Sequence, residues 1–410
     1  AHQKDLEMRH QFDRDMKAHG INTVAPCNFS FPLKWEDNHV VVDCSLIDRE
    51  VKLCREVGFQ RPLTLDMRPV EGWLSALQDE MAAYRTAGKE FPANYTVASW
   101  EFNVPPKYSE FEVEQTKNII AQVEAFAAAN NWPELYWLPQ EEATNAAAKI
   151  QQLEHYARLF HANGVKVASW SNGPWGGVDE LQPLDEFIDV RYYNSVTPEL
   201  MRQAKATGDF CGIYNHGDRA QFGFFAERVQ ADGAFQWAYI FMDTKDAFSN
   251  GTLDYINSVV YPGDTGPIPS PMWERIREGI DDQRYITTLK KLLQRAENSD
   301  DGQARQLAAE IQTEFNMMLA AMPDETAKLY RWLAETDPAL FDLWRNRIAA
   351  MILRLQGQSS PILLIPAAAT DPEWLVTAVP APADEKKTGM QSARSATAEV
   401  VVPKVSGLTA

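Results

Sequence analysis

Short apolar, β-rich runs alternate with helical stretches along most of this chain, and no other feature constrains its fold as tightly. The runs fall at 22–26, 62–67, 134–138, 165–170, 190–194, 210–214 and 234–240. Parallel strands cannot be joined by a tight turn and need a crossover, usually a helix, so the pattern predicts βα units on a parallel sheet. The expected fold is α/β, a (β/α)8 TIM-like barrel. A helix over 6–18 precedes the first run. Eight-stranded closure therefore requires a first strand missing from the chain, before residue 1, or a less obvious segment that closes the barrel.

Two connections are long. Residues 27–60 hold a hairpin signal at Glu36-Asp37-Asn38 and a helix over 46–56, while residues 68–133 hold two helices around a strand-like stretch at 95–102. Insertions of this length commonly build function-bearing walls over a rigid scaffold. Helices are expected at 272–296, 303–321 and 325–355. The organisation predicted is a catalytic barrel over 1–297, a helical extension over 298–356, and a Pro/Ala-rich linker or partial accessory module over 357–410.

Charge and composition exclude several classes. With 57 acidic against 39 basic side chains the net charge is −18, and nucleic-acid binding needs Lys and Arg to neutralise phosphates, so no nucleic-acid partner is expected. No apolar run is long enough to span a bilayer; the best, 361–369, is far too short. Cys27, Cys44, Cys54 and Cys211 lack metal-ligand spacing and read as buried thiols. Gly173-Pro174-Trp175-Gly176-Gly177 has no phosphate-cradling pattern, and no nucleophile elbow is present, so neither metal nor cofactor is implied. The chain begins Ala-His-Gln and shows no signal peptide.

In a barrel the reacting groups gather at the C-terminal strand ends. Those ends supply Asp66 and Arg68; Gln140, Glu141 and Glu142; Trp170, Ser171 and Asn172; Tyr192, Tyr193 and Asn194; Tyr214, Asn215 and His216; Trp237, Tyr239 and Asp243. Carboxylates, amides and aromatic faces are the inventory of a sugar site. Trp170 and Trp237 suit the apolar face of a pyranose, Tyr193 or Tyr214 a carbonyl or hydroxyl, and Asn172, Asn194, Asn215, Tyr239 and Asp66 complete the expected binding set. Inward-facing aromatics also fill barrel cores, the structural alternative for each. Glu141-Glu142 is the sharpest element. The pair serves one site if the chain bends after Pro139; otherwise it opens the helix expected near 144, where carboxylates favour the positive end of the dipole.

The segment after the last strand reads Tyr261-Pro262-Gly263, then Gly266-Pro267-Ile268-Pro269-Ser270, then Arg277-Glu278-Gly279-Ile280-Asp281-Asp282 with Tyr285. Pro267, Pro269 and Pro271 keep the chain extended, and Ser270 is placed to cap the helix that follows. On spacing alone Arg275, Arg277 and Asp282 form a solvated helix face. This wording resembles the closing segment of glycoside hydrolase family 123 and its barrel relatives, a likeness that implies that some of those three residues brace the barrel mouth. The resemblance implies a carbohydrate partner and substrate-assisted, retaining hydrolysis of a β-linked N-acetylhexosamine. It also favours a secreted or periplasmic location. Carried onto this chain, it makes Glu142 the general acid/base and Glu141 the residue that orients the acetamido group. The family pattern has Asp where Glu141 stands and Pro where Ala143 stands. The alternatives are an inverting glycosidase with Asp66 or Asp243 as base, a lyase, and a non-catalytic carbohydrate-binding barrel.

Overall fold

The computed structural model describes residues 2–24, 32–36, 39–59, 63–66, 110–140, 142–143, 147–171, 181–215, 217–236, 239, 259–263 and 266–357. Strands β1 (Leu33–Glu36) and β2 (His39–Val42) form the antiparallel hairpin expected around Glu36. Side chains of the Glu110–Ala129 helix satisfy the backbone of β2: Gln115 Oε1 and Gln122 Oε1 accept from the Val40 and Val42 amides, both at 2.9 Å. Asn118 Nδ2 and Gln122 Nε2 donate to the Val40 carbonyl, both at 2.7 Å. An amide ladder on a helix thus does for this edge what a third strand would do.

Strands β3 (Leu63–Asp66), β4 (Leu135–Leu138), β5 (Lys166–Ser171), β6 (Val190–Tyr193), β7 (Phe210–Tyr214) and β8 (Gly233–Phe235) lie side by side in chain order as a six-stranded sheet. Every neighbouring pair is parallel. The connections include the helices Glu110–Ala129, Ala147–Ala162 and Pro198–Ala206, a 3₁₀ turn at Gln182–Phe187, and a helical stretch at Gln221–Phe225 that is kinked at Gly223. Among the described residues the strand order never reverses, so the sheet lacks the switch point of a doubly wound fold. Of the first expected strand, residues 22–24 are not in a strand, and 25–26 lie outside the described residues.

Alternation along the strands divides the sheet's side chains between two clusters. Trp137, Val167, Tyr193, Cys211 and Ile213 belong to the large core shared with the helices; Trp137 meets Phe160 edge-on at 5.6 Å. Leu138, Trp170 and Tyr214, with Tyr192 and Phe235 against them, form a second core. Glycines make room for its rings. A Cβ on Gly212 would collide with the Tyr192 ring, and one on Gly233 would come within 2.7 Å of the Phe210 ring. Small residues beside large rings on neighbouring strands let this face of the sheet pack closely. Cys44, Cys54 and Cys211 are buried and outside any disulfide among the described residues, Cys27 lies outside those residues, and burial pushes Cys44 up to about 11 and Cys211 up to about 12. No helix among the described residues is long and apolar enough to cross a membrane.

The closing segment is a clamp. Strands β9 (Val260–Pro262) and β10 (Pro267–Pro269) pair antiparallel, with the Gly263 amide bonded to the Gly266 carbonyl at 3.1 Å. Ser270 caps the Pro271–Glu297 helix: its Oγ accepts from the Trp273 amide at 3.2 Å and donates to the Val259 carbonyl at 2.6 Å. Gly279 lets that helix press onto the chain leaving β7, where a Cβ would lie 2.6 Å from the Arg219 carbonyl. Three residues on, the fully buried Asp282 accepts from Arg219 Nε at 2.7 Å and from Arg345 Nε at 2.5 Å. Arg345 also reaches Glu278 Oε2 at 2.6 Å, and Arg219 reaches Asp342 Oδ1 at 2.5 Å. Burial pushes the Asp282 carboxyl upward, and the two guanidiniums oppose that push. Asp282 is therefore a brace and not part of a solvated face, whereas the Arg275 side chain is 63% exposed and pairs loosely with Asp218 at 3.5 Å.

The extension contains the helices Gly302–Ala320, Thr326–Glu335 and Ala339–Leu355. The single helix expected over 325–355 is two, because Pro338 has no amide to donate and disfavours helical geometry at Asp337 before it. Arg345 on the last helix supplies half of the Asp282 clamp, so the extension is joined to the sheet through a buried charge pair.

Two outcomes are expected. Asp282→Ala leaves two guanidiniums facing a buried gap and costs about 3–5 kcal/mol in chemical denaturation, while Arg275→Ala costs less than about 0.5. Burial of His155 holds its imidazole down at about 4, from an ordinary 6.5. The unfolded chain then takes the proton first, so this contribution to stability is complete above about pH 6.5 and is lost as pH falls towards 4. Urea midpoints measured across that window are expected to fall, and to fall less steeply in His155→Gln.

Candidate functional site

The C-terminal edge of the sheet carries the candidate site, and β5 is its ruler. Its last carbonyls serve opposite neighbours: the Glu142 amide donates to Trp170 O at 2.7 Å from the β4 side, and the Asn194 amide donates to Ser171 O at 2.8 Å from the β6 side. One strand further, the Asn215 amide donates to Phe235 O of β8 at 2.8 Å. Three of the expected site residues are thus stitched to the sheet just beyond their strands.

Two of them have left-handed backbones, Glu142 with φ 50° and Asn215 with φ 65°. Asn131 and Gln230, the other non-glycine residues of this kind among those described, follow helix C-termini, where that geometry is ordinary. Glu142 and Asn215 instead turn the chain off a strand end. Asn tolerates this conformation; Glu has no such preference and pays roughly 1–2 kcal/mol for it. Strain of this kind persists only where the surroundings hold it, and it clusters at sites. At Glu142 the bond to Trp170 O and the fully buried Ala143 supply the hold.

The side chains converge as well. Asn194 Nδ2 lies 3.4 Å from Glu142 Oε1, with Asn194 buried and Glu142 half-buried. Buried Gln140 precedes Glu142 on the exit of β4. Asp66 ends β3 in register with Leu138, two residues before Gln140; its side chain lies outside the described residues, as do Glu141, Asn172, His216, Trp237 and Asp243.

The aromatic expectations divide. Trp170 and Tyr214 are each 1% exposed and stack, with ring centres 5.7 Å apart, and Phe235 sits 4.5 Å from Trp170. They form the floor beneath the strand ends. Tyr193 belongs to the helix-facing core, while Tyr192 shares the inner cluster and burial pushes its phenol upward. The period of two along Arg191-Tyr192-Tyr193 is the signal that separates them. Tyr239 is taken up elsewhere. Its hydroxyl donates to Asp15 Oδ2 at 2.6 Å, and Trp273 Nε1 donates to the same oxygen at 2.8 Å, so Asp15 binds the first helix to the closing one. Burial and Asp15 push the Tyr239 phenol upward. Among the described residues no group of three or more His, Cys, Asp or Glu is placed to hold a metal ion.

One contributor had no signal in the sequence. Thr326, in the extension, exchanges two hydrogen bonds with Val196, accepting from its amide at 3.0 Å and donating its own amide to the Val196 carbonyl at 3.1 Å. The extension therefore pins the loop that carries Asn194. If the left-handed turn at Asn215 is as described, Asn215→Gly keeps stability within about 0.5 kcal/mol and Asn215→Val costs about 1–3 kcal/mol in urea unfolding. Comparison with protein-family models, and with curated proteins, found no match for this chain.

Proposed function

We propose that this chain is a glycoside hydrolase built on a (β/α)8-type barrel, acting on a β-linked N-acetylhexosamine with Glu142 as general acid/base. The observation that carries the reading is Glu142 itself: a half-buried carboxylate on a left-handed strand exit, facing an amide from the next strand but one. The barrel reading is supported by parallel strands that follow one another without reversal and by an inner face filled with alternating rings and glycines.

Glu142 gives its proton to the glycosidic oxygen as the bond from that oxygen to the anomeric carbon breaks. The acetamido oxygen of the same sugar attacks that carbon, and Glu141 holds the acetamido N–H. Glu142, now a carboxylate, then takes a proton from the water that opens the ring so formed, and two displacements give retention. Trp170 and Tyr214 act from below, as a rigid apolar floor that keeps the strand ends in place.

The test is turnover of aryl β-glycosides of N-acetylgalactosamine, N-acetylglucosamine, galactose and glucose. Turnover limited to the acetamido sugars, and lowered by about 10²–10⁴-fold in Glu142→Gln, is the expected result. Turnover of sugars without the acetamide would replace substrate assistance by a second carboxylate, with Asp66 or Asp243 as the residues to change. Turnover of none of them, natural glycans included, would overturn the hydrolase.

A further inference from the structure

We infer that Asn194 is a positioning residue for Glu142: its amide holds Oε1 as an acceptor and directs the transferable proton to Oε2. This rests on the reading of Glu142 as the acid/base. Adjacent parallel strands lie about 4.8 Å apart, so β4 and β6 are separated by roughly 9.6 Å across β5. A Glu side chain from one and an Asn side chain from the other span that gap over the end of β5, and the two meet at 3.4 Å.

Both residues are held for this contact. Their amides are fixed on Trp170 O and Ser171 O, adjacent carbonyls of one strand. Asn194 is 7% exposed and is followed two residues later by the pair of hydrogen bonds between Val196 and Thr326, so its side chain has little freedom to turn away. The left-handed turn at Glu142 is the strained element that lets a residue leaving β4 meet one leaving β6.

The chemistry follows from what an amide can do. An N–H donor accepts no proton and cannot replace the acid. It bonds to an oxygen acting as acceptor, and in a protonated carboxyl the carbonyl-type oxygen is the stronger acceptor of the two. With Oε1 so engaged, the hydrogen sits on Oε2 and leaves from there to the glycosidic oxygen as the bond to the anomeric carbon breaks. When Glu142 becomes a carboxylate the same N–H shortens onto a charged acceptor, and Oε2 takes the proton of the incoming water.

The experiment follows the Glu142 carboxyl directly. In protein labelled with ¹³C at the Glu side-chain carboxyls, the Glu142 resonance is identified by its loss in Glu142→Gln and titrated in wild type, Asn194→Ala and Asn194→Asp. A like charge at 194 is expected to move the midpoint upward by about one pH unit or more, and loss of the donor to move it upward by less. Identical midpoints in folded wild type and folded variants would overturn the inference, and the Ala variant decides alone should the Asp variant not fold. On any aryl glycoside that is turned over, Asn194→Ala is expected to lower kcat about tenfold or more with KM within about twofold. If none is turned over, the hydrolase reading fails by itself, and the titration still shows whether Asn194 governs Glu142.

Discussion

A single buried carboxylate, Asp282, holds the exit of β7, the closing helix and the last helix of the extension together. It has no exposed surface and accepts from Arg219 and Arg345, one from each flanking element. Removing two or three charges from water is expensive, so such an arrangement contributes little net stability compared with an apolar core. What it supplies is position: each guanidinium has one geometry in which the carboxylate is satisfied. Gly279 permits the close approach, and Gln283 Nε2 donates to the carbonyl of Gly223, where the Gln221–Phe225 stretch is kinked, at 2.8 Å. Most of the Arg-Glu-Gly-Ile-Asp-Asp wording is thereby accounted for as a dock. Its nearest link to the site is Arg219, four residues after Asn215.

The site depends on this dock and on its counterpart at Thr326. Strand exits are the least regular part of a parallel sheet, and a reacting group set there is only as well placed as the loop beneath it. Here the β6 exit is held by Thr326 and the β7 exit by Asp282, both through the helical extension. The inner aromatic core fixes the level of the strand ends from below. Within that frame the turn at Glu142 brings a carboxyl across β5 to Asn194. On the proposed reading Glu142 is the proton carrier and Asn194 the group that orients it, and what the structure itself shows is the contact between them at 3.4 Å over the end of β5.

Much of the fold is legible from local chemistry. Runs of β-branched and aromatic residues mark β3 to β8, Glu36-Asp37-Asn38 marks a hairpin, and Pro after Ser marks the start of the closing helix. The break at Asp337-Pro338 is equally local and follows from the missing amide. Asp282 is different. Its spacing along a polar helix is that of a solvated face, and each of its partners lies 63 residues away, one on either side. Tyr192 and Tyr193 are told apart by strand alternation alone, whereas Tyr239 depends on Asp15, 224 residues earlier. Pro139 signals a bend after β4, but the left-handed geometry at Glu142 has no signal of its own, because Glu does not favour it; tertiary bonds impose it against local preference.

The most direct measurement is affinity labelling. An N-bromoacetyl β-glycosylamine of N-acetylglucosamine or N-acetylgalactosamine places an alkylating carbon where the leaving group of a substrate would sit, within reach of the proton donor. Peptide mapping of the labelled protein is predicted to find the ester on Glu142, with labelling prevented by excess parent sugar. An ester on Asp66, Asp243 or another carboxylate, protected by the same sugar, would contradict the assignment of the acid/base and with it the account of this strand-end site.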